Sequence, residues 1–405
     1  MQGMDFERIL GGVCAPEGFL ASAVSCGIKG KGEFDLALLY SETPAVAVGA
    51  FTRNQLKAAP VVYSQKCIES KTARAVVVNS GNANSMTGSR GLGDAEAMAA
   101  SVEKALDLSS GTVLVASTGP IGEYLPMEKV TRGIEQAVAE LSPGGNTDAA
   151  KGIMTTDTYP KELAVEMEIA GKVVRMGAMA KGSGMIHPDL ATMIVVITAD
   201  AELDADIMQE WLNKAVEWSF NRISVDGDQS TNDTVIMLAN GAAFPEGHDL
   251  NSEEGELFFK ALCWLTANLA MALVKDGEGA TKLLRIVVNG ARDDSEAVLV
   301  ARSIANSNLV KCAFYGGVPN WGRIASAVGS AGVALDPDKI DIFLGENKVA
   351  SGGGPVGADY KNLVELLKRD EVEITLELGL GSGSAYFLTT DLSSEYVKMN
   401  ASEKT

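Results

Sequence analysis

The run Met193-Ile194-Val195-Val196-Ile197 constrains the fold more than any other segment. Five consecutive apolar residues leave a strand no polar face, so the strand must be covered on both sides, as it is inside a layered α/β or α+β structure. The covering elements are at hand. Segments 205–220 and 253–274 repeat apolar residues at three- and four-residue spacing, which predicts two helices separated by the loop Phe244-Pro245-Glu246-Gly247. Upstream, Asp94 reads as the N-cap of a helix running to about Leu106, followed by an apolar strand over 112–116 that ends in the turn Ser117-Thr118-Gly119-Pro120. A helix over 127–141, a loop over 142–146 and a hairpin of strands near 163–169 and 172–178, with Gly171 at its turn, complete that half. From about Thr281 the pattern restarts with a strand over 283–289, and near the end a Gly-rich loop over 351–357 precedes a strand, 371–378, that alternates acidic and apolar residues. This restart predicts a second, smaller domain.

Composition removes several function classes. The chain has 405 residues with 34 basic and 53 acidic side chains, and its net charge of −19 repels polyanions such as nucleic acid and anionic membrane. Small-molecule partners are favoured. The five cysteines are odd in number and never spaced Cys-x-x-Cys, so neither a disulfide framework nor a zinc site is indicated and a reducing cytoplasm is expected. Asp5, Glu7 and Arg8 interrupt any signal-peptide core, and the uncharged stretch 261–274, at 14 residues, is shorter than the roughly 20 a membrane span needs. With only two histidines, His187 and His248, neither a multi-histidine metal site nor histidine-centred catalysis is expected, and no metal or cofactor is called for.

The chemistry that remains is a threonine nucleophile. Thr192 stands at the mouth of the buried strand and is reached through the Gly-rich connection Lys181-Gly182-Ser183-Gly184-Met185-Ile186-His187-Pro188. If its Oγ attacks the Ala191 carbonyl, an N-to-O acyl shift and hydrolysis would cleave the chain and leave Thr192 with a free α-amine. That amine, with a reference pKa of about 7.7–8.0, can serve as general base without histidine. Position alone favours the plainer alternative, a threonine that simply starts a strand. Thr118 and Gly119 offer a hydroxyl and an N–H for an oxyanion, although such a turn is also ordinary. The acidic segment 226–233 fails as a calcium loop, because Thr231 and Met237 stand where glycine and glutamate are required, and it reads instead as a polar loop bonding its own backbone. Gly182-Ser183-Gly184 lacks the third glycine of a dinucleotide site.

Motif context decides between these readings. Phe51-Thr52-Arg53-Asn54, Asn79-Ser80-Gly81-Asn82-Ala83-Asn84, Ser117-Thr118-Gly119, Thr155-Thr156-Asp157-Thr158, the 181–188 connection, Ala191-Thr192-Met193, Ser224-Val225-Asp226-Gly227-Asp228, Ser230-Thr231-Asn232-Asp233-Thr234, Lys275-Asp276-Gly277-Glu278-Gly279 and Tyr396-Val397-Lys398-Met399-Asn400 follow one another in order. This set resembles the ornithine acetyltransferase (glutamate N-acetyltransferase) family of arginine biosynthesis nearly end to end. The resemblance implies a four-layer αββα sandwich like other self-cleaving amidohydrolases, with a smaller C-terminal α/β domain. It divides the chain into a catalytic core, 1–280, cleaved between Ala191 and Thr192 into chains 1–191 and 192–405; a domain at 281–390; and a tail, 391–405, that returns to the site. Thr192 is then the acetyl carrier and Thr118 and Gly119 the oxyanion hole, with Thr155, Lys181, Thr192, Glu278, Asn400 and Thr405 holding substrate. The implied reaction moves acetyl from N2-acetyl-L-ornithine to L-glutamate by a ping-pong route in an α2β2 heterotetramer, and whether acetyl-CoA is a further donor stays open. Val318, Leu190 and Ile194 depart from the usual pattern without touching an expected contact. Two rivals are a self-cleaving hydrolase, which would yield acetate, and a non-catalytic binding protein, which would stay one chain.

Overall fold

A computed structural model describes residues 5–30, 32–187 and 193–402. In chain order the strands are β1 (Phe6–Ile9), β2 (Phe19–Val24), β3 (Leu36–Phe51), β4 (Thr72–Ser80), β5 (Val113–Thr118), β6 (Lys161–Ile169), β7 (Lys172–Lys181), β8 (Ile194–Ala199), β9 (Ile223–Ser224) and β10 (Thr234–Ala239). The helices among them are α1 (Ala59–Cys67), α2 (Gly88–Ala105), α3 (Met127–Ala139), α4 (Asn146–Gly152), α5 (Ala205–Trp218) and α6 (Ser252–Lys275). Among the described residues, all of these strands but β9 join in one sheet of order β1-β6-β7-β8-β10-β3-β4-β5, with β2 also pairing β3.

Side-chain alternation shows how that sheet closes on itself. Along β8, Val195 and Ile197 pack with α5 and α6 through Leu212, Leu262 and Leu269, while Ile194 and Val196 face the other way. Along β4 and β5, Val77 and Val115 pack with α2 and α3 through Met98 and Ile134, while Val76, Val78 and Leu114 face inward to meet Ile194, Val196, Ile236 and Leu238. The two halves of the sheet therefore enclose one dry seam, and helices cover both outer faces. This is the four-layer sandwich the resemblance implies. The long β3 is the hinge: its first half pairs β2 and β4, its second half pairs β10, and the register shift between Tyr40 and Ala45 bends it between them.

The remaining strands, β11 (Leu283–Ala291), β12 (Asp341–Leu344), β13 (Asn347–Ser351), β14 (Gly354–Pro355), β15 (Glu371–Glu377) and β16 (Gly383–Thr390), form the second sheet in the order β14-β13-β12-β15-β11-β16-β9. Here α7 (Asp294–Ala305), α8 (Asn308–Tyr315), α9 (Trp321–Gly329) and α10 (Tyr360–Leu366) surround one core. In β15 the alternation assigns Val372, Ile374 and Leu376 to that core and leaves Glu371 and Glu373 on the open face. The chain ends in α11 (Ser394–Ser402).

Three expectations need correction. Asp94 lies inside α2, which starts at Gly88 behind Thr87; three glycines at 88, 91 and 93 disguise the first turns as loop. Asp94 instead faces Arg90 one turn back, at 3.9 Å. The short helix α4, absent from the sequence reading, closes the seam from one end through Ala149, Ala150 and Ile153. Finally, α6 extends past the uncharged stretch to 24 residues and is long and apolar enough to cross a membrane, but half of its apolar window is buried in the fold, where Phe258, Leu265 and Leu273 join the core.

Candidate active site

A cavity of about 510 Å³ opens where the ends of β5 and β7 meet the loops 182–187, 225–233 and 276–279. Thr118, Gly119, Thr155, Lys181, Glu278 and Asn400, read from distant parts of the sequence, all line it. Leu190, Ala191, Thr192 and Thr405 lie outside the described residues. Met193, the residue after Thr192, is buried beside β10, where its backbone is bonded to Asp233 and Thr234.

Lys181 organises the floor. It is the last residue of β7, paired with Ile194 of β8, and only 2% exposed. Its Nζ donates to Thr118 Oγ1 at 3.0 Å and to Thr155 Oγ1 at 2.8 Å. An ammonium has no lone pair to offer, so both hydroxyls act as acceptors toward it and keep their own protons for a ligand. Burial lowers the Lys181 pKa from the ordinary lysine range, against the attraction of Asp157. Asp157 in turn accepts from Gly182 N (2.7 Å) and Thr155 N (3.0 Å), so one carboxylate sets the backbone of two cavity segments. Lys161 links it onward: its Nζ lies 2.6 Å from Asp157 Oδ1 and 2.5 Å from Asp276 Oδ2, with the lysine side chain fully buried. Burial pushes the Asp157 carboxyl up, yet Lys181, Lys161 and the Gly182 N–H outweigh it and hold the pKa below the usual value.

Gly119 has a φ of +135°, and a Cβ there would sit 2.4 Å from Asn82 N and 2.5 Å from Gly81 C. Only glycine fits this close crossing, at which Asn82 N donates to Thr118 O at 3.0 Å. Asn232 locks the same strand end from the other side, its Nδ2 donating to Ser117 O (2.8 Å) and Ala83 O (2.6 Å). On the opposite wall, Glu278 N donates to Ser183 O at 2.8 Å and its carboxylate lies over Gly184, where a Cβ would come within 2.5 Å of it. Asn400, carried in by α11, donates Nδ2 to Glu278 Oε2 at 2.9 Å.

The acidic loop bonds backbone, as its composition suggests, but mostly that of a neighbouring segment. Asp226 accepts from Met185 N at 2.5 Å and Ile186 N at 3.0 Å as well as from Asp228 N, and it holds Met185 at φ +54°. Burial raises the Asp226 carboxyl to about 6. Sequence reasoning missed Asp157, Lys161, Asp226, Asn232, Asp233 and Asp276 as parts of this site. All but Lys161 sit in the quoted motifs, and the available signal was an acid or amide amid small neutral residues.

Residues 20–405 match the ArgJ family. The chain belongs to that family. It is 46% identical over 401 residues to the arginine biosynthesis bifunctional protein ArgJ of Symbiobacterium thermophilum, covering 98% of this chain and 100% of the relative. The ArgJ protein of Caldanaerobacter subterraneus is 45% identical over 403 residues, at 98% and 100% coverage. Among solved structures, ornithine acetyltransferase of Mycobacterium tuberculosis, complexed with ornithine, matches at 42% identity with a TM-score of 0.43, covering 45% of this chain and 98% of that one.

Proposed function

We propose that this ArgJ-family enzyme transfers the acetyl group of N2-acetyl-L-ornithine to L-glutamate through an acetyl ester on Thr192. The observation that carries the reading is the convergence of Thr118, Gly119, Thr155, Lys181, Glu278 and Asn400 on one cavity in a chain that matches ArgJ relatives over nearly its whole length. Maturation begins when Thr192 Oγ attacks the Ala191 carbonyl; the C–N bond breaks, an ester forms, and water hydrolyses it to leave the Ala191 carboxylate and a free Thr192 amine. In turnover the amine takes the Oγ proton as Oγ attacks the acetyl carbonyl. The Gly119 N–H and the Thr118 hydroxyl, whose lone pair Lys181 already occupies, stabilise the oxyanion. Collapse expels ornithine, whose nitrogen receives that proton, and glutamate's amine then attacks the ester to give N-acetyl-L-glutamate. Lys181 and Thr155 suit the substrate carboxylate, and Glu278, steadied by Asn400, suits an amine. Thr405 completes the substrate set in this reading.

Intact mass of the purified protein tests the first step: fragments of 191 and 214 residues are expected, and a stable 405-residue chain would favour a binding protein. Acetyl-labelled acetylornithine supplied with glutamate tests the second, since label on glutamate marks a transferase and label only in acetate marks a hydrolase. The relatives are named bifunctional, and a second activity in this chain, for which acetyl-CoA is our proposed donor, is tested by acetylglutamate formation without acetylornithine. We also read the enzyme as cytoplasmic, free of metal and cofactor, and assembled as α2β2; its five cysteines are unpaired, which fits a reducing compartment.

A further inference from the structure

One buried carboxyl bonded to Met193, the residue that follows the proposed nucleophile, has no role in the mechanism above. Asp233 stands at the mouth of β10, where the parallel register Thr234↔Ile194 sets it next to Met193 of the β8 edge. Thr234 N donates to Met193 O at 3.0 Å, and Met193 N donates to Asp233 Oδ1 at 3.0 Å. On the other flank Thr52 N donates to Asp233 O at 3.0 Å. The residue is 0% exposed, and Oδ2 has no hydrogen-bond partner among the described residues.

We propose that Asp233 is a positioning residue for Thr192: its carboxyl grips the N–H of the peptide that joins Thr192 to Met193 and so fixes where the α-carbon of the nucleophile lies. The inference rests on the proposed role of Thr192. Its geometric basis is covalent, because the peptide unit is planar and places the Thr192 Cα and carbonyl in one plane with the Met193 N–H. Gripping that N–H against a strand edge orients the whole unit. The same loop holds the other flank of residues 188–192, since Val225 N donates to Ile186 O at 2.8 Å and Asp226 takes the Met185 and Ile186 amides. One polar loop thus clamps both sides of the cleavage segment.

Burial raises the Asp233 pKa well above the usual carboxylate range, opposed by the Met193 N–H and the charge of Lys181. Lys181 is the charged group facing it, and two of that ammonium's donors go to Thr118 and Thr155. The grip itself needs one side-chain oxygen that accepts from the Met193 N–H, and an asparagine amide keeps that acceptor at the same position.

The experiment compares Asp233→Ala and Asp233→Asn in the full chain, following fragment formation by intact mass and acetyl transfer by steady-state kinetics. The alanine variant is expected to mature at least about tenfold more slowly and, once matured, to lose at least about tenfold in kcat while KM for acetylornithine and glutamate stays within about twofold, as a misplaced reacting group requires. The asparagine variant is expected to restore both rates to within about threefold, with the acid limb of its kcat profile unmoved. Native rates in the alanine variant, a loss confined to KM, or an asparagine variant as impaired as alanine would overturn the proposal. If the alanine variant does not fold, the asparagine rates and pH limb decide alone. Wild-type protein that neither splits nor transfers acetyl would instead overturn the proposed function.

Discussion

Replacing Lys161 with methionine removes the one ammonium that the described structure sets between Asp157 and Asp276, at 2.6 and 2.5 Å. The Lys161 and Asp157 side chains are fully buried and that of Asp276 is 2% exposed, so water cannot replace the lost partner. Breaking a buried ion pair from one side costs about 3–5 kcal/mol, because a desolvated charge is left behind. Methionine fills most of the space and limits any cavity contribution.

The pH dependence supplies the sharper test. Asp157 has a folded pKa below its ordinary 3.8, so its contribution to stability is present above 3.8 and is lost as pH falls through the lowered folded value. Without Lys161 the carboxyl keeps Lys181 and the Gly182 N–H but loses the cation that touches it, so its pKa moves upward. The variant then recovers stability as pH falls from neutral toward that raised value, while the wild type does not. Urea unfolding should show a deficit of about 3–5 kcal/mol at pH 7.5 that is smaller at pH 5. A deficit below about 1 kcal/mol, or one equal at both pH values, would refute the reading that this buried pair is held by charge.

Gly119→Ala forces a Cβ within 2.4 Å of Asn82 N; kcat for acetyl transfer should fall about 10²–10³-fold with KM little changed, and a native kcat would remove Gly119 from the oxyanion hole. Deleting residues 400–405 should leave self-cleavage intact and raise KM for acetylornithine and glutamate, because Asn400 reaches Glu278 but no part of the cleavage step needs it; unchanged KM values would strike Asn400 and Thr405 from the site. Lys311 donates to Thr389 Oγ1, Thr390 O and Thr390 Oγ1 in a buried pocket that lowers its pKa to about 8. Its burial cost is present below pH 8 and fades as pH rises toward the unfolded 10.5, so the stability of wild type relative to Lys311→Met should rise by roughly 2 kcal/mol between pH 7.5 and 10.

Local periodicity made much of the scaffold legible. The apolar run at 193–197 became β8, the helices at 205–220 and 253–274 appear as α5 and α6, and the hairpin closes through Ala170 and Gly171, both at positive φ. What could not be read is what depends on distant pairings. The folding of the sheet along β3 turns on a register shift against β4, which no single segment records. The charged floor of the cavity is of the same kind, since Lys161 meets Asp276 across 115 residues. The site residues that were identified came from ordered motifs; Asp226 and Asp233 lay inside those motifs too, but their partners Met185 and Met193 carry only backbone N–H groups, which leave no mark in a sequence.

The identity of the base gives the last test. Among the described residues, no histidine lines the cavity. His248 stacks on Phe244 at 4.7 Å and meets Glu254 at 2.9 Å, and His187 meets Asn306 at 3.4 Å. Two groups are set against each other as the source of an acid limb: the Thr192 amine made by cleavage, with a reference pKa of about 7.7–8.0, and Asp226, at about 6. The amine works as base only when neutral, so if it carries the reaction kcat falls as pH drops below its pKa, and the limb lies well above 6. If Asp226 sets the limb, by loosening its grip on the Met185 and Ile186 amides when it protonates, activity falls only as pH passes through about 6 and Asp226→Asn abolishes the dependence. Replacing His187 and His248 with glutamine and measuring kcat from pH 5 to 9 should leave a single limb near the amine value. A limb that vanishes in the His187 variant alone would make histidine the base, and one centred near 6 would shift the control of activity from the nucleophile's own nitrogen to the loop that holds it.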